Sequence, residues 1–143
     1  MKKNLSGGST GYAYVDTGYK LEGDEWKELP KMKTKRAYHA CAVLGNSIYV
    51  IGGHEAETSV QRFDVSSLTW VEEKEITPGI KSRHAVVFDS AIYLIGRKSK
   101  QNQADIFKLT LGSGGEIGEQ EFLTQIDMAS KTPHIVSASE IGC

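Results

Sequence analysis

The stretch HACAVLGNSIYVIGG, from His39 to Gly53, returns further along the chain as HAVVFDSAIYLIGR, from His84 to Arg97. Tyr49 and Gly52 of the first copy fall on Tyr93 and Gly96 of the second. The runs Ile48-Tyr49-Val50-Ile51 and Ile92-Tyr93-Leu94-Ile95 are continuously apolar. A strand with one wet face would alternate, so these read as strands covered on both faces. The residues ahead of them are small or β-branched: Ala40, Cys41, Ala42 and Val43, then Ala85, Val86 and Val87. Such side chains suit crowded inner strands. Gly45-Asn46 and Asp89-Ser90 stand between paired strands and read as hairpin turns.

Working outward, Trp26, Met32 and His39 recur as Trp70, Ile76 and His84, then as Phe122, Met128 and His134. The first step of each triple is six residues. After the double glycine, Val60 to Val65 is matched by Ala104 to Leu109. A period of about 44 residues built from strands is the mark of a β-propeller, in which each sheet is sandwiched between two neighbours. The expected fold is therefore all-β: a partial propeller of four-stranded antiparallel sheets. Residues 1–26 read as the end of an earlier blade, 27–70 as one repeat and 71–122 as a second, with a Gly-rich insertion from Gly112 to Gly118. Residues 123–143 read as the start of a further blade.

The pattern W-x-x-L-P-x-M, then R-x-x-H-A-x-A-V-L, then I-Y-V-I-G-G, F-D and W resembles the kelch repeat. It is most similar to the kelch domains of BTB–kelch proteins. The resemblance is good from Leu21 to Leu109 and weak at the flanks, where Gly7-Gly8 and Tyr14-Val15-Asp16 match the tail of an earlier blade. It implies that Gly52 and Gly53 close the second strand of a blade, because a side chain there would collide or bar an unusual φ. It also implies that Tyr49 and Trp70 pack between blades, that Trp26 serves the blade before, and that Tyr93 and Gly96 repeat these roles. Three departures stand out. Arg97 replaces the second glycine, so the loop from Arg97 to Gln103 takes another geometry; Phe122 replaces the outer tryptophan; the third copy stops before its I-Y-V-I-G-G strand.

Composition bounds the function classes. The chain has 143 residues, 39% hydrophobic and 24% charged, enough for one domain with a modest core. A formal net charge of -1 does not draw the chain to nucleic acid or anionic lipid. Lys31, Lys33, Lys35 and Arg36, and opposite them Glu72, Glu73 and Glu75, read as solvated loops and edges. Cys41 reads as a small buried hydrophobe, and Cys143 ends the sequence, so no disulfide framework is expected. The opening MKKNLSGGST lacks a secretory apolar stretch and no run is long enough to span a membrane, so a cytoplasmic location is expected.

Catalytic and metal chemistry find little support. His39, His84 and His134 hold equivalent places, but a shared metal needs each nitrogen within about 2.1 Å. They read instead as histidines that start inner strands and bond to backbone carbonyls; no metal and no cofactor are expected. Tyr38 and Cys41 are three apart on the way into one strand, where faces alternate. That spacing does not suit the tyrosine–cysteine link of kelch-like copper oxidases. There is no G-x-S-x-G, H-E-x-x-H or G-x-x-x-x-G-K. Gly112-Ser113-Gly114-Gly115 reads as a flexible connector.

That leaves loops on a scaffold: Asn46-Ser47, His54 to Thr58, Ser66 to Thr69, Pro78 to Arg83 and Arg97 to Gln103. Arg36, Arg83, Arg97 and His54 are the candidate binding residues, the guanidinium groups suiting an acidic peptide. The resemblance implies a protein–protein interaction module rather than an enzyme. It points to substrate recognition for a cullin ubiquitin ligase or to actin binding; the alternative is a sialic acid mutarotase-like kelch enzyme. The expected partner is another protein, not nucleic acid or membrane. Two whole repeats do not close a ring, so self-association to complete the propeller is also expected.

Overall fold

A computed structural model describes residues 4–6, 10–11, 13–77, 79, 81–97 and 103–127. The repeated stretch folds as the sequence pattern dictates. Strands β4 (Ala40–Leu44), β5 (Ser47–Ile51), β6 (Val60–Asp64) and β7 (Thr69–Glu72) form one antiparallel sheet in that order. β5 is buried at every position, which explains its unbroken apolar run. Gly45 supplies the positive φ of 60° that begins the two-residue turn into β5. The turn into β7 is held by Asp64, whose Oδ1 accepts the Ser66 and Ser67 amides, each at 2.8 Å.

Strands β8 (Lys81–Phe88), β9 (Ala91–Arg97), β10 (Gln103–Leu111) and β11 (Ile117–Asp127) repeat the arrangement in another four-stranded sheet. Ahead of both lies a three-stranded sheet of β1 (Asn4–Ser6), β2 (Gly18–Glu22) and β3 (Glu25–Leu29). The chain is all-β, built of antiparallel blades. The sheets end at residues 29, 72 and 127 rather than at 26, 70 and 122, because each outer strand runs on past its aromatic residue. Residues 123–127 thus close the third sheet instead of opening a further one. Met128, His134 and Cys143 lie outside the described residues, as do Gly7 and Gly8.

Two apolar layers hold the three sheets together. Between the first and second lie Leu29, Ile48 and Phe63, with Val43, Val65 and Trp70 packed against them. Trp70 meets Phe63 at a ring-centroid distance of 5.0 Å and donates its indole N–H to the Pro30 carbonyl at 2.6 Å. Between the second and third sheets, Ala40, Ala42, Tyr49, Ile51 and Val60 meet Ile92, Leu94, Phe107, Leu109 and Ile117. Tyr49 and Trp70 therefore sit on opposite faces of one sheet, each filling the gap to a neighbour. Trp26 differs: it is 47% exposed, because among the described residues no hydrophobic cluster forms on its side of the first sheet.

Three local expectations are corrected. His84 is not the counterpart of His39: it pairs with Ile95 inside β8, as Ala40 pairs with Ile51. Both hairpins keep two-residue turns, so the second repeat, one residue shorter from histidine to tyrosine, draws His84 into the strand, and a bulge with one extra residue on β8 lies between Ser82 and His84. The glycine-rich stretch is a docked hairpin, not a flexible connector. Its turn closes through Gly112 N to Glu116 O at 2.9 Å, and the Gly114 carbonyl accepts Arg62 Nη1 at 3.1 Å. The Tyr49 hydroxyl donates to the Gly115 carbonyl. Nor is Glu73 a solvated edge residue: its side chain is 5% exposed, takes Arg62 Nε at 2.6 Å and accepts the Ile117 amide at 2.9 Å.

Candidate functional site

The sheets have two rims. The lower rim carries the hairpin turns: Gly45-Asn46, Ser66 to Leu68, and Gly112 to Gly115. The upper rim carries the approach to β4 (residues 30–39), the loop between β5 and β6 (residues 52–59) and residues 13–17. Arg83 and Arg97 belong to this upper end by their backbone positions, Arg97 pairing with Lys81. All four candidate binding residues therefore gather at one rim.

Arg36, however, does not face a ligand. It is fully buried, with Nη1 donating to Gly52 O at 3.0 Å and Ser59 O at 3.1 Å, and Nη2 to Ser59 Oγ at 2.8 Å. One guanidinium thus ties both ends of the loop from Gly52 to Ser59. Burial pulls its pKa down, while the Cys41 and Glu72 charges oppose that shift. A flat fork of five donors suits this role as an ammonium would not.

The loop so tied is ordered throughout. Gly52 N donates to Ser59 O at 2.9 Å, Ser59 N to Ala56 O at 3.0 Å, and Ala56 is buried beneath it. His54 N donates to Ala37 O at 2.8 Å, which joins the loop to the approach of β4. Gly53 makes that junction possible at φ 101°: a Cβ there would stand 2.8 Å from Ala37 O and 2.9 Å from His39 Cβ. The collision is with the same blade's incoming chain, not with a neighbouring sheet.

The rim displays aromatic and polar groups on this base. Tyr38 is 67% exposed and sits in the left-handed region at φ 56°. Beside it His54 is exposed, its ring 5.2 Å from that of Tyr14, and Glu55 follows with φ 68°. Left-handed backbone at a tyrosine and a glutamate costs about 1 kcal/mol or more each and persists where the surroundings impose it. Tyr38 was legible only as a residue leading into a strand; no spacing rule marks a tyrosine for positive φ. Cys41 lies half-buried within β4 while Tyr38 turns outward. Among the described residues no three His, Cys, Asp or Glu side chains group as metal ligands.

The sequence is similar to that of known proteins. Residues 35–75 match the Kelch motif. "Kelch-like protein 36" of Bos taurus is 30% identical over 95 residues, covering 60% of this chain and 15% of that protein. "Kelch repeat and BTB domain-containing protein 2" of Ectromelia virus is 34% identical over 76 residues, 51% of this chain and 14% of its own length. An F-box/kelch-repeat protein of Arabidopsis thaliana is 36% identical over 67 residues, 46% of this chain and 17% of its own. The matched stretch thus spans no more than 17% of any of these three relatives. The Kelch match begins at Lys35 and takes in the whole of the second sheet with its upper-rim loop.

Proposed function

We propose that this partial kelch-repeat domain holds another protein on its upper rim, around Tyr38, His54 and Glu55. The observation that carries the reading is Tyr38, a mostly exposed ring on a strained backbone, set beside a loop pinned by a buried arginine. Aromatic residues of this kind dominate binding energy at protein interfaces. A loop already held in one shape loses little conformational entropy on binding. Arg83 and Arg97 extend the rim along the third sheet and give it the cations for an acidic segment of the partner.

The finer form of the proposal is a recognition element for a cullin-type ubiquitin ligase adaptor in the cytoplasm. In support, two relatives' names pair kelch repeats with a second domain, BTB in one and F-box in the other. Actin binding is the other form, and co-sedimentation with filaments separates the two.

The test is quantitative capture from cell extract with the wild-type chain, Tyr38→Ala, His54→Ala and, on the lower rim, Leu68→Ser. Loss of an interface anchor weakens binding by about thirtyfold. A partner lost by the two upper-rim variants and kept by Leu68→Ser supports the reading. A partner held equally by all four proteins sinks it.

A further inference from the structure

We infer that a cavity at the outer edge of the second and third sheets receives the indole of a tryptophan presented by a partner protein. The site lies apart from the upper rim, and the inference does not rest on what that rim holds. Its walls are two internal segments, residues 74–77 and the start of β11. It arises from a change of residue at one register position.

In the second sheet one cross-strand row runs Val43, Ile48, Phe63, Trp70. The same row of the third sheet runs Val87, Ile92, Leu109, Gln120. Gln120, not Phe122, therefore stands where Trp70 does. Phe122 pairs with Phe107 one rung nearer the upper rim, level with Gln61 and Glu72. The connection from β9 to β10 carries two more residues than that from β5 to β6, and this moves the row away from the repeat spacing.

Trp70 packs its ring on Phe63 and donates its N–H to the Pro30 carbonyl. Pro30 lies four residues after Trp26, in the segment that leaves the first sheet; four residues after Trp70 comes Lys74, in the segment that leaves the second. The two segments are built alike, with Met32 and Ile76 both buried. A glutamine fills the tryptophan's place only in part. Its Oε1 accepts the Thr77 amide at 2.8 Å, while its Nε2 is buried and has no hydrogen-bond partner among the described residues. Between Gln120 and residues 74–77 there remains a cavity of about 200 Å³, lined also by Ile117.

An apolar cavity of about 150 Å³ admits a benzene ring, so this volume takes one aromatic side chain and is too small for a larger ligand. The walls select indole. Ile76 and Ile117 give apolar contact, and Lys74 offers a cation to a ring face. The Gln120 amide offers an N–H to the same π-system. Glu75 supplies the acceptor that an indole N–H needs when buried. An aliphatic side chain would use only the first of these. Both tryptophans of the sequence, Trp26 and Trp70, are already placed in the first two sheets, so residues 128–143 hold no indole for the site.

The test is an NMR titration of the whole chain with acetyl-Gly-Trp-Gly-amide and, in parallel, acetyl-Gly-Leu-Gly-amide. The tryptophan peptide is expected to give saturable shifts at the Ile76 and Ile117 methyls and the Gln120 side-chain amide, with a Kd of about 1 mM. The leucine peptide should bind roughly tenfold more weakly or not at all. Gln120→Trp and Thr77→Trp fill the cavity from either wall, and each should abolish the shifts with the circular dichroism spectrum kept. Tyr38→Ala, which probes the upper rim, should leave them unchanged. Equal affinity for the two peptides, no saturable shift at these residues, or shifts that persist in either filled variant that keeps its fold would overturn the inference.

Discussion

Gly53→Ala and Gly45→Ala form a matched pair that isolates the upper-rim junction. Both residues have positive φ, 101° and 60°, so alanine strains the backbone at either position. That part costs about 1–2 kcal/mol. At Gly45 nothing lies within 4 Å of the added Cβ, and the cost stops there. At Gly53 the Cβ would press on Ala37 O at 2.8 Å and His39 Cβ at 2.9 Å, backbone and near-backbone atoms that cannot swing aside. Relief means moving residues 37–39, which carry the His54–Ala37 hydrogen bond. Overpacking of this kind adds about 1–3 kcal/mol. With a urea m-value of about 1–3 kcal/mol per molar, the midpoint of Gly53→Ala should fall roughly 1 M below that of Gly45→Ala. The assay is equilibrium urea unfolding followed by tryptophan fluorescence. Equal midpoints for the two variants would refute the description of the junction.

Trp70→Ala removes the ring on Phe63 and the cap on Pro30, and should cost about 3 kcal/mol in the same assay; an unchanged midpoint would remove Trp70 from the interface between blades. Arg62→Met leaves the Glu73 carboxylate buried without its cation and should cost about 3 kcal/mol, part of which the double variant Arg62→Met/Glu73→Leu should restore. A double variant less stable than the single one would contradict this. The Asp64 carboxyl is held below its ordinary 3.8, first by the Ser67 amide, against some desolvation, and then by the Ser66 amide. Its folded pKa lies below the unfolded one, so its stabilisation is present at neutral pH and fades as pH falls from 3.8 through the lower folded value. Asp64→Asn should flatten that part of an acid titration followed by circular dichroism, and an identical acid limb would count against the turn.

What was legible in the sequence was what periodicity encodes. Continuous apolar runs gave away β5 and β9, and the resemblance to the kelch repeat implied that Tyr49 and Trp70 face neighbouring blades. What was hidden depends on where backbone carbonyls end up. Arg36 reads like Arg83, a rim cation; only the fold reveals that Gly52 O and Ser59 O turn inward to receive it. Glu73 reads like Glu72 and Glu75 until the hairpin from Gly112 to Gly115 closes over it and brings the Ile117 amide within reach. The His84 slip was available to counting. His39 stands ten residues before Tyr49 and His84 nine before Tyr93, and a one-residue shift turns a strand side chain to the other face. Tyr38 was the hardest, because nothing in residue type foretells a left-handed tyrosine.

The central claim is that the upper rim, not the lower, grips a partner. Its most direct measurement is photo-cross-linking in cell extract with benzoylphenylalanine placed at position 38 in one protein and at position 68 in another. Both sites are exposed and both have φ near 56°, so the probe is presented alike at each. The account predicts a discrete protein adduct from position 38 and none of that mass from position 68. Adducts of the same mass from both positions, or from position 68 alone, would contradict it.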